Sequence, residues 1–245
     1  MLKCERDQVM NFEAAIRGAR NPMNSWSKSD SVFFVERGDD VHGDYYKTIN
    51  SEESFEDEEF KSYKIPLWAD FVIGPNDLDL LQRLVRSGTD HRKFMRQILV
   101  SVDITAPLYW WKEYDTYKVS TVANSTSTMH KIHAKEFELD DFSHDHLTKN
   151  GLVILESVVT ELEGIRLKYM ATGKPKELWY DMIQLLPSSY NQMRTCTLNY
   201  ETLLNIYHAR KNHKLEEWHT LCRWIESLPY AKELIVNDYS CDCEG

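Results

Sequence analysis

Residues 186–218, LPSSYNQMRTCTLNYETLLNIYHARKNHKLEEW, constrain this chain more than any other stretch. Pro187 follows an apolar run, and Asn199, Leu203, Ile206 and Arg210 then recur at helical spacing. At about 100° per residue those four side chains share a narrow arc, while Asn205 points well round the barrel. A stripe that joins an amide and a guanidinium to two aliphatics packs with its apolar part. Its polar ends then face groups that accept hydrogen bonds. The plain alternative is a helix whose Arg210 snorkels out to water along its alkyl stem.

With 245 residues the chain can bury a sizeable core, and 42% hydrophobic residues with 12% aromatics is a globular composition. The formal charge of −10 argues against a generic duplex-nucleic-acid binder, because phosphate neutralisation needs clustered Lys and Arg. A small anionic ligand held by one or two local arginines is still compatible with it. Cys4, Cys196, Cys222, Cys241 and Cys243 are odd in number and scattered, the usage of a reduced, cytoplasmic chain. Cys241 and Cys243 read as a frayed terminus before they read as a soft-metal site. No apolar run approaches membrane-spanning length and no charged-then-apolar leader is present, so no membrane association is expected.

In order along the chain, residues 9–20 have helical periodicity that should stop before Pro22. Arg17, Arg20 and Asn24 gather at that end, either as cations complementing the helix dipole or as a phosphate contact. Residues 31–35 read as a short strand. Residues 36–60 form an acidic, solvated loop without chemistry. A helix follows, capped by Asn76 or Asp77 and closed by Gly88. His130, His133, His144 and His146 lie near Asp140, Asp141 and Asp145, but their spacings lack a firm frame and no metal site is assigned. Residues 151–172 and 176–186 read as helices, as does the segment after Trp218 up to Pro229. With no internal repeat or linker, the expectation is a single domain over residues 1–236 with a mobile tail at 237–245.

Residues 91–107, HRKFMRQILVSVDITAP, alternate as a strand around residues 98–104 before Ala106-Pro107 opens an aromatic-rich helix. The order His91, strand, Ala106-Pro107 in this window resembles the flavin-dependent thymidylate synthases. So does Pro187, Thr197, Asn199, Asn205, Arg210 and His213 in the other. The resemblance implies an α+β fold, a central antiparallel sheet with long helices, assembled as a homotetramer with active sites between subunits. It implies FAD as cofactor, a methylene-tetrahydrofolate co-substrate and a pyrimidine deoxynucleotide, dUMP or a related base, as the methyl acceptor. Reduced flavin supplies hydride in that scheme and no protein nucleophile is needed. Carried over, Asn199, Asn205, His91 and Lys118 would hold the flavin. Tyr117, Thr126, Ser127 and Arg210 would meet the nucleotide, with Arg210 polarising the base.

The sequence also departs from the family. Its Arg-His-Arg signature falls on Thr116, Tyr117 and Lys118, the preceding Gln on Glu113, and a later Ser-Arg-Tyr group near Thr126, Ser127, Thr128 and Met129. Threonine and tyrosine cannot reproduce the planar fork with which arginine grips phosphate. Glu113 is the most informative change. A carboxylate accepts from an amino group and repels a carbonyl, which points to a cytosine-type or otherwise altered base. Tyr109, Trp110, Trp111, Tyr114 and Tyr117 form either a core helix or a platform for a planar ring. Two functions stay open: a thymidylate synthase-like methyltransferase, or a non-catalytic structural or ligand-binding homologue of that fold.

Overall fold

The computed structural model describes residues 2–33 and 71–237, which fall into two compact units, residues 2–11 with 95–237 and residues 12–33 with 71–94. The acidic segment at 36–60 and Cys241 and Cys243 lie outside the described residues.

The first unit is α+β and built on a four-stranded antiparallel sheet. Strands β1 (Lys3–Met10), β4 (Leu99–Pro107), β5 (Val122–Ser125) and β6 (Asn191–Asn199) lie in the order β1-β4-β6-β5. Alternation decides which face is covered: Val100, Val102, Ile104 and Ala106 of β4 are buried, with Cys196 and Leu198 of β6 on the same side. The other face is polar, with Ser101 Oγ and Thr197 Oγ1 2.9 Å apart and Thr195 donating to Asp103 at 2.5 Å.

Helix α3 (Leu108–Tyr114) leaves β4 directly, and Pro107 stands as its N-cap where a missing N–H costs nothing. Helix α6 (Tyr200–Arg210) leaves β6 directly, with Asn199 Oδ1 accepting from Thr202 N at 2.9 Å as its N-cap. The stretch after Pro187 that shows helical spacing from Asn199 is therefore a strand up to Asn199 and a helix only after it. α6 is also buried nearly all round, from Tyr200 to Leu204 and at Ile206 and Tyr207, so it is a core helix rather than a one-sided stripe. Helix α7 (Glu216–Ser227) packs against it, Tyr207 donating to Glu226 at 2.8 Å. Helices α4 (Lys149–Ala171) and α5 (Lys176–Leu185) enclose a separate cluster with Ile132, Phe137 and Phe142, centred on Leu162 and Met182. The helix expected from residue 151 starts two residues earlier, at Lys149, with Thr148 as its cap.

In the second unit the helical pattern holds only from Phe12: α1 is Phe12–Arg20, and Val9 and Met10 belong to β1. Strands β2 (Val32–Phe33) and β3 (Phe71–Val72) pair antiparallel. Helix α2 (Pro75–Arg86) starts one residue earlier than its expected cap, at Pro75. Its free N–H groups are met from another segment, since Asp30 accepts from Asn76 N at 2.9 Å and from Asp77 N at 3.0 Å. Gly74 is required by close approach: a Cβ there would run into the Asp30 carboxyl group.

Asp77 is itself fully buried and accepts from Arg20 Nε at 2.5 Å, Ser29 Oγ at 2.7 Å, Ser31 Oγ at 2.5 Å and Ser31 N at 3.0 Å. The remaining Arg20 nitrogens donate to Ser25 O at 3.2 Å and Lys28 O at 3.0 Å. Arg20 is thus an internal strut, not a phosphate contact. Burial alone would raise the Asp77 pKa. The bonds from Ser31, Ser29 and Arg20, with the Arg20 charge, outweigh that and hold it below the ordinary 3.8. A depressed folded value means that the stabilisation is complete above the unfolded pKa and disappears as pH falls through the folded one. Asp77→Asn should therefore destabilise this unit by about 3–5 kcal/mol in urea unfolding at neutral pH. The gap between variant and parent should shrink below about pH 4; a pH-independent gap would show that the charge is not what holds the segment.

Candidate functional site

The C-terminal ends of α3 and α6 converge on one carboxylate. Arg210 Nη1 donates to Glu113 Oε2 at 2.9 Å, Trp218 Nε1 donates to the same oxygen at 3.0 Å, and His213 Nε2 lies 3.4 Å from it. The tautomer of His213 follows from its other nitrogen: Leu215 N donates to Nδ1 at 3.2 Å, so the ring proton sits on Nε2, facing Glu113. Arg210 Nε donates to Tyr117 OH at 3.0 Å, and the guanidinium lies over the Trp218 ring at 4.5 Å. Placing Arg210 in the last turn of α6 also sets its cation against the negative end of the helix.

Two places on this cluster are left open. Glu113 Oε1 and Arg210 Nη2 have no partner among the described residues, and both side chains reach solvent, 36% exposed for Glu113 and 18% for Arg210.

A second cation adjoins the same helix. Arg194, on β6, lies over the Trp111 ring at 4.2 Å and donates from Nη1 to Asp115 Oδ1 at 3.0 Å and from Nε to Gln192 Oε1 at 3.1 Å. Gln192 in turn donates to Thr126 O at 2.7 Å, which ties the end of β5 into the network.

Of the residues selected from sequence, Glu113, Tyr117 and Arg210 are in direct contact. Thr126 is tied instead to Gln192, through its carbonyl oxygen, and its hydroxyl donates to Met193 O at 3.3 Å. Ser127 Oγ accepts from His130 N at 2.9 Å and organises the turn after it. Lys118 is exposed in the short 3-10 helix Asp115–Ser120 that continues α3. Asn199 stands at the opposite end of α6 from Arg210, about 16 Å along the axis, with its oxygen engaged in the cap and its Nδ2 without a partner among the described residues. Asn205 is on the exposed side of the same helix. His91 belongs to the other compact unit, in an exposed turn where its N–H donates to Gly88 O at 3.1 Å.

The aromatic segment resolves toward the core. Trp110, Trp111 and Tyr114 are at most 2% exposed and pack on one another and on Trp218, so they offer no open face to a ligand ring. Among the described residues, no three His, Cys, Asp or Glu side chains gather as a metal site. His144 Nδ1 is bound to Phe142 O at 2.8 Å and Asp141 to Lys135 at 2.8 Å. Burial pushes the Cys196 and Cys222 thiols up to about 11 and Cys4 up to about 12, so none is a thiolate near neutral pH.

Arg194, Asp115, Gln192 and Trp218 were not among the residues selected from sequence. The signal for the first and third lay in strand alternation. Gln192, Arg194, Cys196 and Leu198 share one face of β6, and a cation on an otherwise inward face demands a partner.

No family model matches the chain, and no curated protein matches it by sequence. Solved structures do match by fold. One is thymidylate synthase X from Helicobacter pylori with FAD and dUMP, at a TM-score of 0.62 and 14% identity over 98% of both chains. A second, the flavin-dependent thymidylate synthase from the same organism complexed with FAD and dUMP, gives 0.59 and 15% over 96% of this chain and 97% of that one. The chain therefore has the fold of the flavin-dependent thymidylate synthases, α+β with a small antiparallel sheet and long helices. Among the described residues, no helix is long and apolar enough to cross a membrane.

Removing the shared acceptor tests the cluster. Glu113→Ala leaves the Arg210 and Trp218 donors without it and should cost about 1–3 kcal/mol in urea unfolding. Glu113→Gln keeps an acceptor oxygen and should cost less. Equal losses would show that the carboxylate oxygen is not the organising group.

Proposed function

We propose that this chain is a flavin-dependent thymidylate synthase-like enzyme. It methylates a pyrimidine deoxynucleotide, dUMP or a related base, using methylene-tetrahydrofolate and reduced flavin. The observation that carries this reading is the convergence of Glu113, Tyr117 and Arg210 at one half-open place in a fold whose solved relatives were crystallised with FAD and dUMP. Arg210 is a fixed cation with a free N–H pair, able to bind a base carbonyl or ring nitrogen and draw electron density from the ring.

The donor set also suits a flavin. Asn199 Nδ2 is an uncommitted amide donor, Lys118 an exposed ammonium and Asn205 an exposed polar group. Asn199 and Asn205 lie about 9 Å apart along the axis of α6, so they would meet different parts of a cofactor or different copies of it. Bound FAD supplies the redox chemistry; the chain's own groups hold and orient it. The buried thiols fit a scheme that uses no protein nucleophile.

Self-association as a homotetramer is part of the same proposal. Val153, Ile154, Leu167 and Met170 of α4 are 46–65% exposed apolar side chains that assembly would cover. A cytoplasmic location fits the free, scattered cysteines.

One observation favours a second reading, a non-catalytic ligand-binding or structural homologue. Both arginines of the site are already matched by carboxylates, Arg210 by Glu113 and Arg194 by Asp115.

Incubation with FAD followed by gel filtration separates the two. The enzyme reading expects a yellow protein carrying flavin absorbance in the oligomeric fraction, and a protein that elutes colourless overturns it. On the flavin-loaded protein, Arg210→Lys should weaken pyrimidine nucleotide binding by roughly tenfold or more, because an ammonium lacks the planar fork. Unchanged affinity in titration calorimetry would remove Arg210 from the site.

A further inference from the structure

Glu113 Oε2 receives Arg210 Nη1 and Trp218 Nε1 and faces His213 Nε2, which fixes the carboxylate in one orientation. Its other oxygen, Oε1, has no partner among the described residues. On the guanidinium, Nε is bound to Tyr117 OH and Nη1 to Glu113, and Nη2 sits between them on the rim with both hydrogens free. The Tyr117 hydroxyl accepts from Nε and still has its own hydrogen to give. Going round the cluster, the groups left for a ligand are an acceptor, then a donor, then a second donor.

Resting on the reading above, we infer that this edge selects a pyrimidine of the cytosine type, one with an exocyclic amino group. The cytosine edge reads donor, acceptor, acceptor: the amino group, ring N3 and the O2 carbonyl. That order is the complement of Glu113 Oε1, Arg210 Nη2 and Tyr117 OH. The uracil edge reads acceptor, donor, acceptor. Its N3–H can meet Oε1 and one carbonyl can meet Nη2, but the second carbonyl is then left on the carboxylate side without a donor. An acceptor held against an acceptor-only carboxylate is a repulsive element, and such elements separate similar ligands more sharply than added attractions do. Glu113 is in this sense the specificity residue and Arg210 its partner. Neither carries an unmatched charge, so the pair reads hydrogen-bonding pattern rather than phosphate.

The test is a calorimetric titration of the whole chain, supplied with FAD, with dCMP and with dUMP. The expectation is a dCMP dissociation constant lower by about tenfold or more, the scale of one well-placed base contact. Glu113→Gln, which can present an N–H in place of the oxygen, should close that gap or turn it toward dUMP. Tyr117→Phe removes one donor without touching the carboxylate and should weaken dCMP by roughly tenfold while keeping the preference. Binding of dUMP by the parent chain as tightly as dCMP overturns the assignment of the base and leaves the nucleotide reading standing. A Tyr117→Phe variant with unaltered dCMP affinity also overturns it. Binding of neither nucleotide by a flavin-loaded protein overturns both.

Discussion

The nine-residue ladder between β4 and β6 is the constraint on which the first unit rests. Every residue from Leu99 to Pro107 is paired, against Asn199 down to Asn191. Because the strands are antiparallel, the helix that follows β4 and the helix that follows β6 start at opposite ends of the ladder. Nine pairs span about 30 Å. The seven residues of α3 and eleven of α6 together span about 27 Å at 1.5 Å each. Two helices that start at opposite ends and both fold back along the sheet therefore meet end to end near its middle. Trp111 and Asp115 mark the path of α3, through Trp111 Nε1 to Gln192 O at 2.9 Å and Asp115 to Arg194, two residues further on along β6. The meeting of Glu113 and Tyr117 with Arg210 is thus a consequence of strand pairing and helix length, with no loop needed to bring them together.

Where two helix C-termini meet, unpaired carbonyls and both negative dipole ends collect, and a cation there is favoured. Arg210 supplies it. Its planar group is then fixed on three sides, by the Trp218 ring beneath, Tyr117 at one corner and Glu113 at the other. Trp218 contributes twice, since its N–H goes to the same carboxylate that Arg210 binds. Fully buried at its ring and bonded at its nitrogen, it makes α7 the backing of the site rather than a separate terminal helix. A group so restrained has little rotamer freedom left to lose when a ligand arrives, which is the physical meaning of preorganisation at this place.

Long helices were legible because their periodicity is sustained: α4 and α5 fall within two residues of their expected bounds, while α7 starts three residues before its expected start after Trp218. β4 was legible from alternation over residues 98–104. β6 was not, because Asn199, Leu203, Ile206 and Arg210 match a helical template whose first member is in fact the cap. A spacing rule cannot tell a cap from a first turn. The error hid Arg194 and Gln192, whose inward direction exists only on a strand. β1 and α1 run together in the sequence for a related reason: Val9 fits the helical arc of Phe12 and Ile16, although the turn at Asn11, with φ at 75°, separates them. The aromatic segment was ambiguous from composition, and burial decided it: Trp110 and Trp111 are core, while Tyr117, three residues past Tyr114 in a tighter helix, is the ring that reaches the site. Glu113 and Arg210 were each visible, but their bond was not, since 97 residues separate them.

A fold shared at 14–15% identity separates two kinds of constraint. Strand pairing and burial tolerate almost any residue of the right size and polarity, so the sheet and its helices persist. A charged site does not tolerate piecemeal loss, because a cation left without its ligand, or a ligand without its cation, costs more than removing both. At this site Arg210 is closed by Glu113 and Arg194 by Asp115, both carboxylates from the end of α3. The local charge is balanced before any ligand binds. Such a site cannot draw an anion by field strength. What it offers instead is geometry: fixed donors and acceptors in a set order on a half-open edge. On the proposed reading, selection there would follow from the pattern of a neutral ring, and any phosphate on such a ligand would be met by groups outside these two ion pairs.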